Sequence, residues 1–401
     1  MGFQNGLSGL NAAAQNLDVI GHNVANVNTV GAKTSRASFS DVYASSIYGA
    51  GSGLGVQVAG ITQQFSQGAL AASDNPLDMA VNGNGFFRVV RDGAVSYTRN
   101  GEFRRDADNF LTTIDGARLT GYAADANGQI LRGGVPTELQ LSSGSIAPKA
   151  TTEAGFEINL DSRVTVPTMP FASNNPESYA GATTLRVHDQ QGNPYQLTTY
   201  FRKTGDNSWE VHGAIDGTDL GAPITTLTFG QDGALLTPAT PVALTIPIAA
   251  GAGGNHTFDL DLSKLTQFGS AFSITKQVQD GYAPGEVAGY SISQDGTILA
   301  KYTNGETKAM GQIALANFAN PQGLSPLGGN AWAETMESGQ PVIGTPASGS
   351  LGGLKSGALE SSNIDLTEEL VNMITAQRTY QANAQTIKTQ DQVMQTLINL
   401  R

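Results

Sequence analysis

The sequence contains no cysteine among its 401 residues, and only 14% of the residues are charged. The absence of cysteine excludes disulfides, thiolate metal sites and cysteine nucleophiles, and it fits a chain that works outside the cytoplasm. Lysine and arginine number 22 against 34 aspartates and glutamates, which gives a formal charge of −12. This balance disfavours nucleic acid as a partner, since that surface needs clustered cations, and it disfavours an anionic membrane surface for the same reason.

Long apolar runs are missing as well. No stretch of about 18 apolar residues occurs, so we expect no membrane insertion. No lysine or arginine precedes Lys33 and no apolar core leads to a small-residue cleavage site, so we expect no cleaved signal peptide. Glycine, in contrast, is abundant at 49 residues, which is typical of a β protein with many turns.

The C-terminal segment, residues 361–401, has the pattern of one long helix. It contains no proline, and apolar residues recur every seven positions with a second track four positions later. Asp365, followed by Glu368 and Glu369, predicts a capped start that suits the helix dipole. The residues predicted to form its interface are Leu366, Leu370, Met373, Tyr380, Ile387, Met394 and Ile398.

The N-terminal segment carries a matching pattern, with apolar residues at alternating spacings of four and three. This spacing predicts a second helix of coiled-coil type. Its predicted interface residues are Phe3, Leu7, Leu10, Leu17 and Val24. The alternative is an ordinary amphipathic helix packed on the core of its own domain. The C-terminal helix has a polar face rich in Asn and Gln instead of Lys and Glu, which favours contact with other protein.

Between the helices the pattern is that of antiparallel β structure. Turn pairs at Asn82-Gly83 and Asp92-Gly93 predict hairpins in one β domain, and residues 191–194 predict a hairpin in another. We predict a multidomain chain in which one mainly antiparallel β domain is inserted in another and the terminal helices form a coiled-coil-type inner domain. The predicted parts are 1–27 with 364–401 (inner helices), 28–68 with 344–363 (a mostly extended connector with some β structure), 69–148 with 281–343 (first β domain) and 149–280 (inserted outer β domain).

Residues that carry catalysis or bind metals are sparse. The four histidines, at 22, 188, 212 and 256, lack the spacing of a metal-binding helix. The segment Gly352–Ser356 superficially resembles a phosphate-binding loop but lacks its spacing and the strand that should precede it. We therefore expect no enzyme activity, no cofactor and no metal site.

Several motifs resemble those of bacterial flagellar rod and hook axial proteins. The N-terminal match runs from Ser8 to Gly31, and the C-terminal match from Ser362 to Asn383. Asn84–Phe87 and Tyr97–Phe103 resemble the β domain that this family shares. The length and the additional β region are similar to the hook members, because the rod members are shorter. One departure follows Gly31, where the family often has an aromatic residue and this chain has Ala32.

The resemblance implies a structural subunit that polymerises into a curved flexible tube, a universal joint that transmits motor torque from rod to filament. It implies as partners further copies of the chain, rod, hook-cap and hook–filament junction proteins, and the flagellar type III export apparatus. The implied location is the extracellular part of the flagellum, reached without a cleaved signal peptide. A distal-rod-like axial subunit and a secreted β-rich adhesin or enzyme are the alternatives. Because the apolar stripes have little partner surface within one chain, we expect the helices to become ordered on assembly.

Overall fold

The structure, a computed structural model, describes residues 2–44, 52–142, 144–247 and 254–399. Helix α1 (Gly2–Ala25) and helix α2 (Leu366–Asn399) lie at the two ends, with β structure between them. Asp365 caps α2, since its Oδ1 accepts hydrogen bonds from the amides of Thr367 at 2.8 Å and Glu368 at 3.2 Å. The predicted fold class, terminal helices around mainly antiparallel β domains, is confirmed.

The chain divides into two compact units. The first consists of Met1–Ser142, Gly289–Lys301 and Thr307–Arg401, and the second of Ser143–Ala288 with Tyr302–Glu306. Along the sequence, the second unit is thus inserted between parts of the first. The four-part division predicted from the sequence is finer than these two units and stays a prediction.

Three strands follow α1: β1 (Ser35–Ala44), β2 (Ser52–Gln63) and β3 (Leu70–Ala72). Strands β1 and β2 form a sheet of their own, whereas β3 pairs with Ala358–Glu360, shortly before α2. The antiparallel β1–β2 pair begins with Ser35 opposite Gln63 and has two register shifts. The predicted connector is therefore more regular than expected, because ten residues of β1 face twelve of β2 along most of 35–63.

The first part of the β body then follows. Its strands are β4 (Met79–Asn82), β5 (Phe86–Arg91), β6 (Ala94–Thr98), β7 (Arg104–Arg105), β8 (Leu111–Thr112), β9 (Arg118–Ala123) and β10 (Thr137–Glu138). The hairpin predicted at Asp92-Gly93 is confirmed: Arg91 pairs with Ala94, and both turn residues have positive φ, 50° and 81°.

The second unit contains two sheets. Its strands are β11 (Glu153–Asp161), β12 (Gly181–His188), β13 (Pro194–Gly205), β14 (Ser208–Ile215), β15 (Thr218–Asp219), β16 (Thr225–Phe229), β17 (Leu235–Thr237), β18 (Val242–Ile246), β19 (His256–Asp261), β20 (Thr266–Phe268) and β21 (Ser273–Gln279). The predicted hairpin around 191–194 is confirmed as the β12–β13 connection. A short 3₁₀ helix, Pro176–Ser178, precedes β12.

The chain then completes the β body and returns to the helices. These strands are β22 (Val287–Ile292), β23 (Thr297–Tyr302), β24 (Thr307–Ile313), β25 (Leu315–Asn317), β26 (Ser325–Gly328), β27 (Ala331–Ala333), β28 (Val342–Gly344), β29 (Gly353–Ser356) and β30 (Ala358–Glu360), with a 3₁₀ helix at Pro321–Gly323. Thirteen of the body strands form one sheet with the central order β22-β23-β24-β9-β5-β6-β27-β26.

The hairpin predicted at Asn82-Gly83 is wrong. Strand β4 pairs with β29, not with β5, so that Asn82 lies opposite Gly353. Gly83 has φ +110°, and a Cβ atom there would lie 3.1 Å from Cα of Gly352. The Asn-Gly pair thus allows close approach of two backbones from distant parts of the sequence, and a local turn signal cannot distinguish this use from a hairpin.

Each compact unit has its own buried core. In the second unit, Trp209, Phe201 and Leu260 are fully enclosed between the two sheets. In the first, one cluster around Phe87 and Leu119 lies within the large sheet, and a second, aromatic cluster includes Phe86 and Trp332. Each β region therefore has a core of large apolar side chains that is buried within a single chain.

Candidate assembly site at the terminal helices

Helices α1 and α2 pack against each other in antiparallel directions. Gly6 lies against Ile387, and Gly9 lies against Asn383 one turn nearer to the start of α2. A Cβ atom built on Gly9 would lie 2.9 Å from the amide atoms of Asn383, so glycine permits this close approach. The two ends of the chain are therefore partners, as their matching patterns predicted.

The surface of α2 that turns toward the rest of the chain is small and polar. Glu369 and Ala376 are buried and Asn383 is half-buried, and these residues are seven positions apart. The predicted stripe is a different set of residues on a neighbouring face. The contact within one chain thus has the seven-residue period of a coiled coil but few of its large apolar side chains.

The predicted interface residues remain largely outside this contact. Phe3, Leu7, Leu366, Leu370, Tyr380 and Met394 are exposed, whereas Leu10, Leu17, Val24, Met373 and Ile387 are half-buried. The side chain of Ile398 lies outside the described residues. Phe3 retains 50% and Met394 58% of its possible exposure. One chain alone therefore exposes large apolar side chains at the start of α1 and at intervals along α2.

Asn23 joins the end of α1 to two other segments. Its amide nitrogen donates to Oε1 of Glu369 at 2.9 Å and to the carbonyl of Ser35 at 2.8 Å. Its amide oxygen accepts from the backbone N–H of Ser35 at 2.9 Å. Sequence reasoning did not identify Asn23 or the burial of Glu369, because an Asn within a helix gives no local signal of a partner 346 residues away.

Asn363 makes a second set of bridges just before α2. Its Oδ1 accepts from the backbone amide of Thr34 at 2.8 Å, and its amide nitrogen donates to the carbonyl of Gln64 at 2.8 Å. The same nitrogen lies 2.8 Å from Oγ of Ser66. One side chain thus links the chain leaving α1, the chain leaving β2 and the chain entering α2.

A cluster of buried charges lies beside these amides. Oε1 of Glu360 accepts from Nζ of Lys33 at 2.6 Å, and Oε2 accepts from Nη1 of Arg99 at 3.0 Å. The backbone N–H of Gly68 donates to Oε1 at 2.9 Å. Burial lowers the pKa of the Lys33 amine and of the Arg99 guanidinium, while the Glu360 carboxylate opposes both changes.

Aromatic side chains continue this junction into the β body. The guanidinium of Arg99 lies 5.2 Å above the ring of Phe86, which contacts Phe65 edge-on at 5.4 Å. Trp332 also contacts Phe65, and its indole N–H donates to Gln63 at 2.5 Å. The end of β2 is therefore held to the β body by both packing and hydrogen bonds.

Within the described ranges, no group of three or more histidine, aspartate or glutamate side chains is placed to hold a metal ion. Neither α1 nor α2 is apolar enough over a sufficient length to cross a membrane. Three of the histidines, at 188, 212 and 256, lie in β strands of the second unit, and His22 lies exposed on α1.

Comparison with known proteins gives full-length relatives. The flagellar hook protein FlgE of Escherichia coli is 45% identical, and the alignment covers 100% of both chains. The chain belongs to the flagellar hook protein family. The hook protein FlgE of Salmonella typhimurium is likewise 45% identical over 100% of both chains, and that of Rhizobium meliloti is 35% identical over 100% of this chain and 98% of the relative.

Family models of the hook and rod proteins match successive parts of the chain. The flagella basal body rod protein model matches residues 3–33, and the C-terminal model of the flagellar basal body rod FlgEFG proteins matches 355–400. The D1 domain of the hook proteins FlgE/F/G matches 80–174, and the FlaE D2 domain matches 159–282. Among solved structures, the Helicobacter pylori flagellar hook protein FlgE2 has a TM-score of 0.53 at 15% identity, covering 72% of this chain and 100% of that chain, which shows a shared fold.

Proposed function

We propose that this chain is a structural subunit of the flagellar hook that polymerises through its terminal helices into a tube. Membership in the hook protein family gives the class of function. The observation that supports the helices as the polymerising element is the exposure of their apolar stripes, illustrated by Phe3 and Met394. Large apolar side chains in a row are normally buried, so further copies of the same helices are their natural partners.

The contact between α1 and α2 within one chain also supports the proposal. Gly6 and Gly9 of α1 allow close approach to α2, and in the described part of α2 Ala376 is the one buried apolar residue, so the pair buries few large apolar side chains of α2. Long helices with so little buried apolar surface are marginal in water. Contacts with neighbouring copies would supply the missing burial, and a head-to-tail arrangement that does not close would yield a helical tube.

We infer a curved, flexible tube that transmits motor torque from rod to filament and has no catalytic role. Its further partners are rod, hook-cap and hook–filament junction proteins. Delivery by the flagellar export apparatus would place the subunit outside the cell. Amide-rich contacts favour flexibility, because no buried ion pair must break when neighbouring helices shift.

Polymerisation of the purified full chain tests the proposal most directly. The wild type should form tubes visible by electron microscopy, whereas a chain trimmed of residues 1–30 and 364–401 should not. Tubes formed by the trimmed chain would contradict the role of the helices.

A point variant makes the same test without removing a helix. Tyr380→Asp, alone or with Leu370→Asp, should abolish tubes because a charge would enter the apolar interface between copies. Thr389→Asp is the matched control: at 100° per residue it lies about 180° around α2 from Tyr380. Equal loss of assembly in Tyr380→Asp and Thr389→Asp would show that charge on the helix matters and the stripe does not.

A further inference from the structure

The carboxylate of Glu360 holds segments from four places in the sequence. It binds Lys33 after α1, the amide of Gly68 after β2 and Arg99 after β6, while Glu360 itself ends β30, shortly before α2. Its backbone carbonyl also accepts from the amide of Gly31 at 2.8 Å. Each of these segments leads either to the helix pair or to the β body, so the residue lies where the two are joined.

The cluster is removed from solvent. The side chains of Lys33 and Glu360 have no exposed surface, and that of Arg99 is 4% exposed. Both cations make a second contact, Lys33 to the carbonyl of Ser66 at 2.8 Å and Arg99 to the carbonyl of Gly83 at 2.8 Å. Two cations and one carboxylate leave a net charge of +1 in a buried place, so neither cation can leave the carboxylate without a large desolvation penalty.

We propose that Glu360 is a torsional coupling residue, whose contacts with Lys33, Arg99 and Gly68 make the junction of helix pair and β body rigid. This inference rests on the proposed function, since torsion matters only in a subunit that carries torque. In the assembled hook the junction transmits rotation between the helices and the β body.

The reason lies in the kind of contact. Amide contacts such as Gly9 with Asn383 exchange for others at low cost, and apolar contacts tolerate small displacements. A buried charge held from three directions has one favourable position, because any displacement lengthens at least one charge-assisted hydrogen bond in a low-dielectric surrounding. Two further side chains add hydrogen bonds to the same junction. Asn363 precedes α2 and accepts from Thr34, and Asn23 of α1 donates to Glu369 in the first turn of α2.

Two variants distinguish a role of Glu360 in torsional stiffness from a role in the folding of the chain. Glu360→Gln retains the shape of the side chain but leaves two buried cations facing a neutral amide. The double variant Lys33→Met with Glu360→Gln removes one cation as well, so the buried net charge returns to the wild-type value of +1. It restores the charge balance but not the link between the two connector segments. Glu368→Gln, an exposed carboxylate in the first turn of α2, is the matched control for loss of one charge.

The experiment produces the full chain and each variant in a bacterium that lacks its own hook protein. Hooks are counted by electron microscopy, and their torsional stiffness is measured from the rotation of a bead on the hook while the motor is locked. Thermal unfolding of each purified chain is recorded in parallel. We expect Glu360→Gln to lower both the unfolding temperature and the stiffness, and the double variant to recover unfolding temperature while its stiffness stays about twofold or more below wild type, because the buried link is absent.

Stiffness that recovers together with the unfolding temperature in the double variant would overturn the proposal, since Glu360 would then serve folding alone. Absence of hooks from both variants while the wild type assembles would overturn it as well. A reduced stiffness in Glu368→Gln would have the same consequence. Wild-type chains that build no hooks would contradict the proposed function itself, whatever the variants do.

Discussion

In the second compact unit Trp209, Phe201 and Leu260 are fully enclosed, whereas on the terminal helices Phe3 and Met394 keep half or more of their surface exposed. The two regions differ in where their large apolar side chains lie. The β unit encloses a continuous cluster of large apolar side chains between its own sheets within one chain. Where the helix pair meets, Gly6 and Gly9 of α1 lie against α2, and large apolar side chains of α2 such as Leu370 and Met394 stay exposed in the single chain. An apolar pattern along a helix is therefore not by itself evidence that the side chains are buried within that chain.

The largest expected effect on the stability of a single chain comes from the core of the second unit. Trp209→Ala should lower the free energy of unfolding of that unit by about 3–5 kcal/mol, because it leaves a large cavity. It also removes the hydrogen bond from the indole N–H to Oε1 of Gln267 at 2.9 Å. Calorimetry of the full chain resolves the unit's transition. Leu236→Ala, an exposed residue of β17, should change it by less than about 0.5 kcal/mol. Equal effects of the two would contradict the closed core.

A smaller, acid-dependent effect on stability is expected where the chain enters and leaves the same unit. Asp280 accepts from the backbone amides of Thr152 at 2.7 Å and Glu153 at 2.9 Å and pairs with Lys149 at 2.8 Å. Partial burial alone would raise the pKa of Asp280, but these hydrogen bonds outweigh it and hold the pKa well below its usual 3.8. The resulting stabilisation is fully present above pH 3.8 and is lost as pH falls through the lower, folded-state pKa.

Asp280→Asn should therefore lower the free energy of unfolding at pH 7 by about 1.5–3 kcal/mol, because charge-assisted hydrogen bonds are lost. The difference from wild type should shrink as the pH is lowered below 3.8. Thermal unfolding at a series of pH values measures both. Asp259→Asn, an exposed carboxylate of β19, is the control. A difference that stays constant down to the lowest pH would contradict the assigned role of the Asp280 charge.

In the helix region the largest single-chain effect should come from a polar residue. Asn23→Ala leaves the buried Glu369 carboxylate and both backbone groups of Ser35 without the side chain that binds them. The expected cost is about 1–2 kcal/mol, which corresponds to about tenfold faster hydrogen exchange at the Ser35 amide. Asn11→Ala, on the exposed face of α1, should leave that amide unchanged. Identical exchange in both variants would show that Asn23 does not hold this junction.

The smallest effect on single-chain stability is expected where the apolar pattern is strongest. Leu370→Ala and Tyr380→Ala should change the unfolding of the isolated chain by less than about 0.5 kcal/mol, because both side chains are exposed. The same variants should lower the rate of tube formation markedly. If either destabilises the single chain as much as Trp209→Ala does, the helix pair buries its own stripe and the contrast with the β unit disappears.

Local patterns were sufficient to predict the elements. The helices, the Asp365 cap and the hairpin at Asp92-Gly93 each depend on residues within a few positions of one another, and all three are confirmed. The interface residues assigned to the stripes stay a prediction. The seven-residue repeat did not predict which face of α2 pairs with α1, since the glycine and asparagine residues at that contact carry little hydrophobic signal.

The junction was beyond prediction for another reason. Lys33 is a lone cation in a connector and Glu360 a lone acid at the end of a short strand, and sequence alone predicts both to be exposed. Their pairing spans 327 positions, and it becomes visible only once the fold brings both halves of the chain together. The contact of β4 with β29 escaped prediction in the same way. Buried polar groups need hydrogen-bond partners, and in this junction those partners are far apart in the sequence.

The pairing of α1 with α2 also affects the order in which parts of the chain can fold. The described strands all lie between the two helices along the chain, so α1, which is synthesised first, has no partner until the C-terminal segment has been made. A chain broken off anywhere between the helices lacks the pair altogether. The contact therefore forms only in chains that carry both helices.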